Sequence, residues 1–395
     1  MGYKSIIEAL RPETRFIVVH NESVRPDIES WFTEAGHNST HVTYVSVAEY
    51  VRLTDWAEDA YAALTDTTDG SHYLMEPWSF GRVGDALVAD AVEEHTDVRA
   101  SGSPLIFQGG NCLVGSDFWF LGKDYFADTV ALLTGSRPPV SIPPDVSSSS
   151  FATKLFTTYL DADRRLILIG TSKPLALREV VGAKEGGTFF LDLPSGGVGT
   201  FQPIFHIDMF LTLLGENGNG TFEVLVGSPS LADQLLDTTS PYALAEVFDA
   251  IARDLEHAGF AVRRNPLVHW PTRQQTLPFN EIKKLSTHPE NSSLVPAVAE
   301  LEAAGATEAS PVVVRDWHHI TWNNCLVENS GSFGKHVYLP TFADGDHASL
   351  AVIDSYMNAL WESSGFTTHL LGNFNAFAER QGVVHCIKKY LSRGA

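Results

Sequence analysis

Apolar residues recur at helical spacing in two long segments of the sequence. The first follows Ser240, which can cap a helix, and Pro241, which suits a first turn, and it ends at Gly259. Its apolar stripe is Leu244, Val247, Phe248, Ile251 and Leu255. The second stripe, which precedes Gly365, is Leu350, Ile353, Met357, Leu360 and Trp361. One apolar face is typical of a helix that packs on a core, so both segments are predicted to be such helices.

Several blocks of the sequence repeat one plan of strand, tight turn, strand and helix. One block covers residues 105–135, with glycines at the turns. A second runs from Pro203 through the glycine-rich turn 215–220 to Leu236, and a third runs from Ile320 through 331–334 to Leu339 and then enters a helix. The recurrence predicts a pseudo-symmetric ring of strand-strand-helix-strand units.

Two segments between these blocks are rich in turn-forming residues. Residues 138–150 contain four prolines and four consecutive serines, and they are predicted to form a surface loop that could fold over an active site. Residues 286–295 form a similar polar connection. Neither is rich enough in charge or glycine to require two independent domains.

The composition favours a folded protein with an acidic surface. The chain has 395 residues, of which 44% are hydrophobic and only 19% are charged, so it can build a large core and disorder is not expected. The formal net charge is −21, from 48 acidic and 27 basic residues. This charge disfavours nucleic acid and anionic membranes as partners, and it suits a cationic substrate as well as simple solubility.

The three cysteines, Cys112, Cys325 and Cys386, are widely spaced and form no Cys-x-x-Cys pair. A disulfide framework or a structural zinc site is therefore not expected, and neither a metal nor a cofactor is predicted. The first residues do not resemble a signal peptide, and no stretch of about 18 apolar residues exists to span a membrane. A reducing cytoplasm is the expected location, since it would keep a catalytic thiol free.

Cys386 lies in an apolar run, Gly-Val-Val-His-Cys-Ile at residues 382–387, where it is either a buried hydrophobe or a nucleophile. His206 and Asp208 stand two residues apart in a segment predicted to be extended. Residues two apart in a strand point to one face, so an imidazole and a carboxylate would project together. By the same rule His385 would point away from Cys386 and is predicted to be structural.

These motifs, with others in the same order, resemble the guanidine-modifying enzymes of the pentein superfamily. The likeness is closest to the catalytic domain of peptidylarginine deiminases and to agmatine deiminase-like proteins, and it covers roughly residues 70–390. The segments that carry it are Phe-Gln-Gly-Gly-Asn at 107–111, Leu-Gly-Lys at 121–123, His-Ile-Asp-Met-Phe at 206–210, Phe-Glu-Val-Leu-Val at 222–226, Ser-Pro-Ser at 228–230, Asn-Asn-Cys-Leu-Val at 323–327, Lys-His-Val-Tyr-Leu-Pro at 335–340 and Arg-Gln-Gly-Val-Val-His-Cys at 380–386.

The resemblance implies an α/β fold, a five-bladed propeller of strand-strand-helix-strand repeats, formed by residues 1–395 as one domain. It also implies a deiminase that acts on the guanidino group of arginine, an arginyl residue or an arginine-derived compound. Cys386 would attack the guanidinium carbon and form a covalent thiouronium with release of ammonia. His206 would serve as acid and base, and Asp208 would hold the guanidinium together with a second carboxylate.

The identity of the second carboxylate stays open at this point. The spacing of Tyr73, Glu76 and Gly81 is similar to the family pattern, with Glu in place of the usual Asp, and Asp85 is a rival. Glu76 is also compatible with a solvated turn residue before Pro77.

The resemblance also suggests substrate-binding residues. Arg380 is either such a residue or a surface arginine paired with a neighbouring acid, and Asn111 and Asp85 are further candidates. The sequence departs from the family at Gln108, where agmatine- and arginine-type deiminases usually carry Glu, and at Lys388, where threonine is common.

Two other functions use the same residues. An amidinotransferase would pass the amidino group from Cys386 to an amine rather than to water, and a non-catalytic pentein would only bind its ligand. The expected partner is a small-molecule or peptidyl guanidino compound, and the oligomeric state stays open.

Overall fold

The computed structural model describes residues 2–176, 180–194, 199–331 and 333–392, without the side chains of residues 272 and 273. Within these ranges the chain forms a mixed α/β fold of five sheets. The first is a parallel pair, β1 and β2, joined by a helix. The elements of this part are α1 (Gly2–Ala9), β1 (Phe16–Asn21), α2 (Arg25–Glu34) and β2 (Val42–Val47).

The next two sheets share one topology, an antiparallel hairpin followed by a helical crossover to a third, parallel strand. The second sheet and its helix are β3 (Ala62–Thr65), β4 (His72–Glu76), α3 (Val88–His95) and β5 (Arg99–Gly102). The third sheet and its helices are β6 (Cys112–Val114), β7 (Phe118–Gly122), α4 (Lys123–Thr134), α5 (Ser148–Tyr159) and β8 (Arg165–Ile169).

The fourth sheet contains the same unit, β11-β12-β13, and extends it with β14, β10 and β9 in that order. Its third strand is 18 residues long, so one half belongs to the unit and the other half pairs with β14. The elements are β9 (Val181–Glu185), β10 (Thr188–Pro194), β11 (Leu211–Glu216), β12 (Phe222–Ser228), α6 (Pro229–Leu236), α7 (Ala245–His257), β13 (Ala261–Pro278), α8 (Phe279–Ser286), α9 (Leu294–Ala303) and β14 (Pro311–Thr321).

The fifth sheet repeats the unit once more, with β15 and β16 antiparallel and β16 and β17 parallel. Its elements are β15 (Leu326–Ser330), β16 (Gly334–Thr341), α10 (Ala351–Ser363), β17 (Thr367–Asn373) and α11 (Asn375–Ala378). The predicted strand-strand-helix-strand unit is therefore present in four of the five sheets that the structure describes. Among the described residues no helix is both long and apolar enough to cross a membrane.

Two local predictions are corrected by the backbone. Helix α7 begins at Ala245 rather than near Ser240, because Tyr242 and Leu244 have positive φ angles of 61° and 56° that interrupt a helical path. The four serines are not all loop, because Ser147 accepts a hydrogen bond from the Ser150 amide and caps α5. The second predicted helix is confirmed as α10, with its apolar stripe buried.

The apolar core lies in several clusters, and two of them enclose the segment that carries Cys386. Cys386 packs with Ile207, Phe210, Phe120 and Val226 on one side. Its neighbours Val383, Val384 and Ile387 pack into the cluster of β16 and α10 on the other side. The backbone of this segment is therefore fixed from two directions.

Candidate active site

Cys386 lies in an irregular turn after α11, and not in a strand. The buried Asn324, which follows β14, holds this turn. Its side-chain oxygen accepts hydrogen bonds from the Val383 and Cys386 amides at 3.0 and 3.2 Å, and its Nδ2 donates to Sγ of Cys386 at 3.1 Å. The backbone carbonyl of Asn324 accepts from the Val384 and His385 amides. One asparagine thus sets both the path of the backbone and the position of the thiol.

His206 and Asp208 are brought together, although the segment is not the predicted strand. His206 is extended, but Ile207–Met209 form a single 3-10 turn. At Gly110 an added Cβ would clash with Nδ1 of His206 and would lie 3.1 Å from Oδ2 of Asp208. The two side chains therefore converge on one glycine, and the lack of a side chain at position 110 makes room for them.

Asn111 supports this turn instead of facing a ligand. Its Oδ1 accepts a hydrogen bond from the Ile207 amide at 2.7 Å, and its Nδ2 donates to Asp124 at 2.9 Å. The residue is fully buried. Because both ends of the amide are engaged inside the protein, the prediction that Asn111 binds substrate is replaced by a structural role.

Asp59, which the sequence reasoning missed, is the second carboxylate at the cluster. It lies between Trp56 and β3, and its Oδ1 is 3.6 Å from Nδ1 of His206. Burial raises the pKa of the Asp59 carboxyl, while His206 and Arg82 oppose that shift. The sequence contains a signal for Asp59, because the acidic pair Glu58-Asp59 directly precedes the apolar residues of a strand. Acidic side chains at such a place are rarely buried unless they are paired.

The two predicted candidates for that place lie elsewhere. Glu76 ends β4 and lines a cavity of about 470 Å³ with Trp78, Phe80 and Tyr159, and Cys386 is not part of this cavity. Burial and the nearby Asp90 raise the pKa of Glu76. In the described part of the chain, no hydrogen bond or ion pair joins Glu76 to Cys386, His206 or Asp208.

Asp85 is closer to the site but is also not in it. It is buried, and it accepts hydrogen bonds from the amide and the hydroxyl of Thr54 at 2.8 and 2.6 Å and from Nε of Arg82 at 2.7 Å. Arg82 in turn binds Asp59 at 2.7 Å. Asp85 therefore contacts the cluster only through the side chain of Arg82.

The thiol lies beside negative charge. Sγ of Cys386 is 3.5 Å from Oδ2 of Asp208. Burial first, and then the charges of Asp208 and Asp59, raise the pKa of the Cys386 thiol well above its ordinary value. The thiol is therefore protonated near neutral pH as long as these carboxylates are not matched by a cation.

His385 also belongs to the cluster, in contrast to the prediction. Its Nδ1 is 2.8 Å from Oδ2 of Asp208. The strand rule failed here because the segment is a turn. Burial and then the charge of Lys388 lower the pKa of His385. A neutral His385 ring that donates from Nδ1 would hold Oδ2 of Asp208 and leave the other oxygen available.

Neutral groups contact Nε2 of His206, the ring nitrogen that does not face Asp59. Its Nε2 is 3.0 Å from Oε1 of Gln108 and 3.3 Å from the Tyr125 hydroxyl. The partly exposed ring of Phe205 stacks on the imidazole at a centroid distance of 3.9 Å. Gln108, which replaces the usual Glu, thus accepts a hydrogen bond from His206 without adding charge.

The remaining predicted residues are tied to acids. Arg380 is half-exposed, pairs with Asp55 and lies over the Trp56 ring, which corresponds to the surface interpretation rather than the substrate-binding one. Lys388 and Lys389 bind the buried Glu58 at 3.0 and 2.9 Å. Burial by itself would raise the pKa of Glu58, but these lysines hold it at about 2.

Three buried polar atoms of the cluster have no hydrogen-bond partner among the described residues, namely Oδ1 of Asp59, Oδ1 of Asp208 and Nδ1 of His206. Buried carboxylate oxygens are costly to leave unpaired, by about 1 to 3 kcal/mol or more for each. A planar cation with several N–H donors is the type of group that would satisfy them. Within the described residues, no group of three or more His, Cys, Asp or Glu is placed to hold a metal ion.

No protein-family model matches the sequence, and no curated protein matches it. Solved structures are similar in fold. The agmatine deiminase of Enterococcus faecalis has a TM-score of 0.53 and 13% identity over 98% of this chain and 85% of that chain. The agmatine deiminase of C. jejuni has a TM-score of 0.51 and 11% identity over 98% of this chain and 84% of that chain. The chain therefore has the fold of the pentein superfamily, to which these deiminases belong.

Proposed function

We propose that the protein is a deiminase that hydrolyses a guanidino group of arginine, an arginyl residue or an arginine-derived compound, with Cys386 as the nucleophile. The observation that carries the proposal is the pair of carboxylate oxygens, on Asp59 and Asp208, that accept no hydrogen bond from any described residue and lie in the same cluster as a buried thiol. A guanidinium is planar and always charged, and each carboxylate can accept its N–H groups. The names of the structural neighbours, agmatine deiminases, agree with a substrate of this class.

The charge of the substrate activates the nucleophile. In the free site burial, and after it the charges of Asp208 and Asp59, raise the pKa of the Cys386 thiol. A bound guanidinium neutralises these carboxylates, so the pKa of the thiol falls when the substrate is in place. This arrangement restricts the reactive thiolate to the complex and protects the resting enzyme from oxidation.

The reaction then proceeds in two displacements. The Cys386 thiol passes its proton to His206, and the thiolate attacks the guanidinium carbon to form a tetrahedral adduct. His206 delivers a proton to the leaving nitrogen, which departs as ammonia and leaves a thiouronium on Cys386. Water, deprotonated by His206, attacks the same carbon and releases the thiol. The sum is guanidinium plus water giving a ureido group and ammonium.

The repeated sheets support an arrangement as a five-bladed propeller formed by the whole chain as one domain, with the cluster near its axis. Such a placement would let one compact site draw residues from several blades. It explains why the site uses segments as distant as 54–59, 206–208 and 385–389.

Ammonia release from a panel of free arginine, agmatine, arginyl peptides and other guanidino compounds tests the proposal. The wild type should release ammonia from at least one of them, and Cys386→Ser should release none, while Cys112→Ser keeps the activity as the matched control. An amidinotransferase would instead form a transfer product when an amine acceptor is added. If 2-chloroacetamidine leaves Cys386 unlabelled and no compound is hydrolysed, the protein is not a guanidine-modifying enzyme.

A further inference from the structure

Arg82 joins two buried carboxylates at the edge of the site. It lies in the loop after β4, where residues 78, 79, 81 and 83 are exposed, and its own side chain is 28% exposed. Nη2 donates to Oδ2 of Asp59 and Nε donates to Oδ2 of Asp85, both at 2.7 Å. Asp85 is held in turn by the amide and hydroxyl of Thr54. The contacts form a chain from Thr54 through Asp85 and Arg82 to Asp59.

The two oxygens of Asp59 therefore have different tasks. Oδ2 is engaged by Arg82, which prevents rotation of the carboxylate. Oδ1 faces Nδ1 of His206 at 3.6 Å and has no hydrogen-bond partner among the described residues. Charge-assisted hydrogen bonds are directional, so the Arg82 contact turns Oδ1 toward the place of the reacting group.

Arg82 also affects the ionisation of the Asp59 carboxyl. Burial and the carboxylate of Asp208 favour the protonated form of Asp59, whereas His206 and Arg82 favour the ionised form. Cys386 faces the same cluster and is itself affected by Asp59. Only an ionised Asp59 can accept N–H groups with both oxygens, one from Arg82 and one from a guanidinium.

We propose, on the basis of the proposed function, that Arg82 is a positioning residue that fixes the Asp59 carboxylate and turns its Oδ1 toward the substrate, and that Asp85 acts only through Arg82. Arg82 does not touch the reacting atoms in this role. Asp85, which the sequence suggested as a ligand of the substrate, becomes the anchor of the arginine.

The test compares Arg82→Met, Arg82→Lys, Asp85→Asn and the double variant that combines Arg82→Met with Asp85→Asn. We expect Arg82→Met to lower kcat/KM about 30-fold, the size of one charge-assisted hydrogen bond. The acid limb of the pH profile should move to higher pH, because Asp59 is then protonated more easily. In Arg82→Lys, both kcat/KM and the pH of the acid limb should lie between the values of Arg82→Met and of the wild type. Adding Asp85→Asn to Arg82→Met should change kcat/KM less than about twofold.

Arg264→Met is the matched control, because Arg264 has the same 28% side-chain exposure and binds a carboxylate, Asp249, while among the described residues no hydrogen bond or ion pair joins it to Asp59, His206, Asp208 or Cys386. It should leave the acid limb in place. An unchanged acid limb in Arg82→Met, or a full additional loss from Asp85→Asn in the Arg82→Met background, would overturn the inference. If Arg82→Met does not fold, Arg82→Lys and Asp85→Asn each must still shift the limb.

The inference can fail separately from the proposed function. If the wild type releases no ammonia, the deiminase proposal fails, and the pH dependence of Cys386 labelling by 2-chloroacetamidine then provides the test, because ionisation of both the thiol and Asp59 affects it and only the effect of Asp59 depends on Arg82. Labelling whose acid limb moves in Arg82→Met and not in Arg264→Met supports the positioning role. If the acid limb of the labelling rate stays in place in both variants, the positioning role of Arg82 is refuted.

Discussion

Replacing Asp208 by Asn should make Cys386 more reactive toward a neutral reagent while it abolishes turnover. Sγ lies 3.5 Å from Oδ2 of Asp208, and this carboxylate is the main charge that opposes thiolate formation. The variant removes the negative charge and keeps the shape. The same carboxylate is proposed to hold the guanidinium, so the two reactions should change in opposite directions.

The magnitude follows from the distance. At 3.5 Å and an effective dielectric constant of about 20, the repulsion between two unit charges is about 5 kcal/mol. If relaxation of the surroundings leaves about half of it, the thiolate population near neutral pH rises about 100-fold. A less basic thiolate is a weaker nucleophile, by about 8-fold at a Brønsted coefficient of about 0.45. The net expectation is an increase of about 10-fold in the alkylation rate.

The assay measures alkylation of the peptide that contains Cys386 by mass spectrometry at about pH 7.5, with iodoacetamide as the neutral reagent and 2-chloroacetamidine as the cationic one. Following the peptide excludes signal from Cys112 and Cys325, whose thiols have pKa values raised by burial to about 12. Access to the site is the same for wild type and variant, so it cancels in the ratio. Asp90→Asn removes an exposed charge and serves as the control.

Asp208→Asn should speed iodoacetamide and slow chloroacetamidine, because the amidinium loses its carboxylate. If iodoacetamide reacts no faster with Asp208→Asn than with the wild type, Asp208 does not suppress the thiolate, and the proposed activation by substrate charge is refuted. A faster reaction with both reagents would mean instead that Asp208 does not bind the cation.

Further variants test the remaining assignments. Asp59→Asn should lower kcat/KM by at least about 100-fold while Glu76→Gln changes it less than about threefold, as steady-state kinetics would show; the reverse order would return Glu76 to the site. His206→Gln should extinguish activity, since the leaving nitrogen must receive a proton, and an unchanged rate would exclude His206. Gly110→Ala should lose activity because the new methyl group would displace His206, and a fully active variant would contradict the packing described above.

The sequence predicted the repeating units and the convergence of distant motifs better than the local backbone. Glycine turns between apolar strands mark the units, and helix α10 follows from its stripe alone. The strand expected at Cys386 is absent because Asn324 accepts four backbone hydrogen bonds from the segment 383–386, a tertiary contact that overrides the β-propensity of Val383 and Val384. The position of His385 could not be predicted without that turn.

The missed carboxylate illustrates a second limit. The acidic pair before a strand marks Asp59 as unusual, but its place in the site depends on its partners, His206 and Arg82, and neither is close to it in sequence. Glu76 fitted the spacing of the family pattern, but spacing does not reveal which side chain is buried opposite a histidine. Asp85 could be placed near the site from sequence, and its connection through Arg82 required coordinates.

The ion pairs of Glu58 with Lys388 and Lys389 affect how the protein acquires its activity during folding. The Glu58–Lys388 pair closes a loop of 330 residues, and the Glu58 amide also donates to the carbonyl of Cys386. Contacts of such long range form late and slowly, because the chain entropy between them is lost at once. A ribosome-bound chain would therefore stay inactive until residue 389 has emerged. The rate at which activity returns after denaturation would measure the final step of folding rather than its early stages.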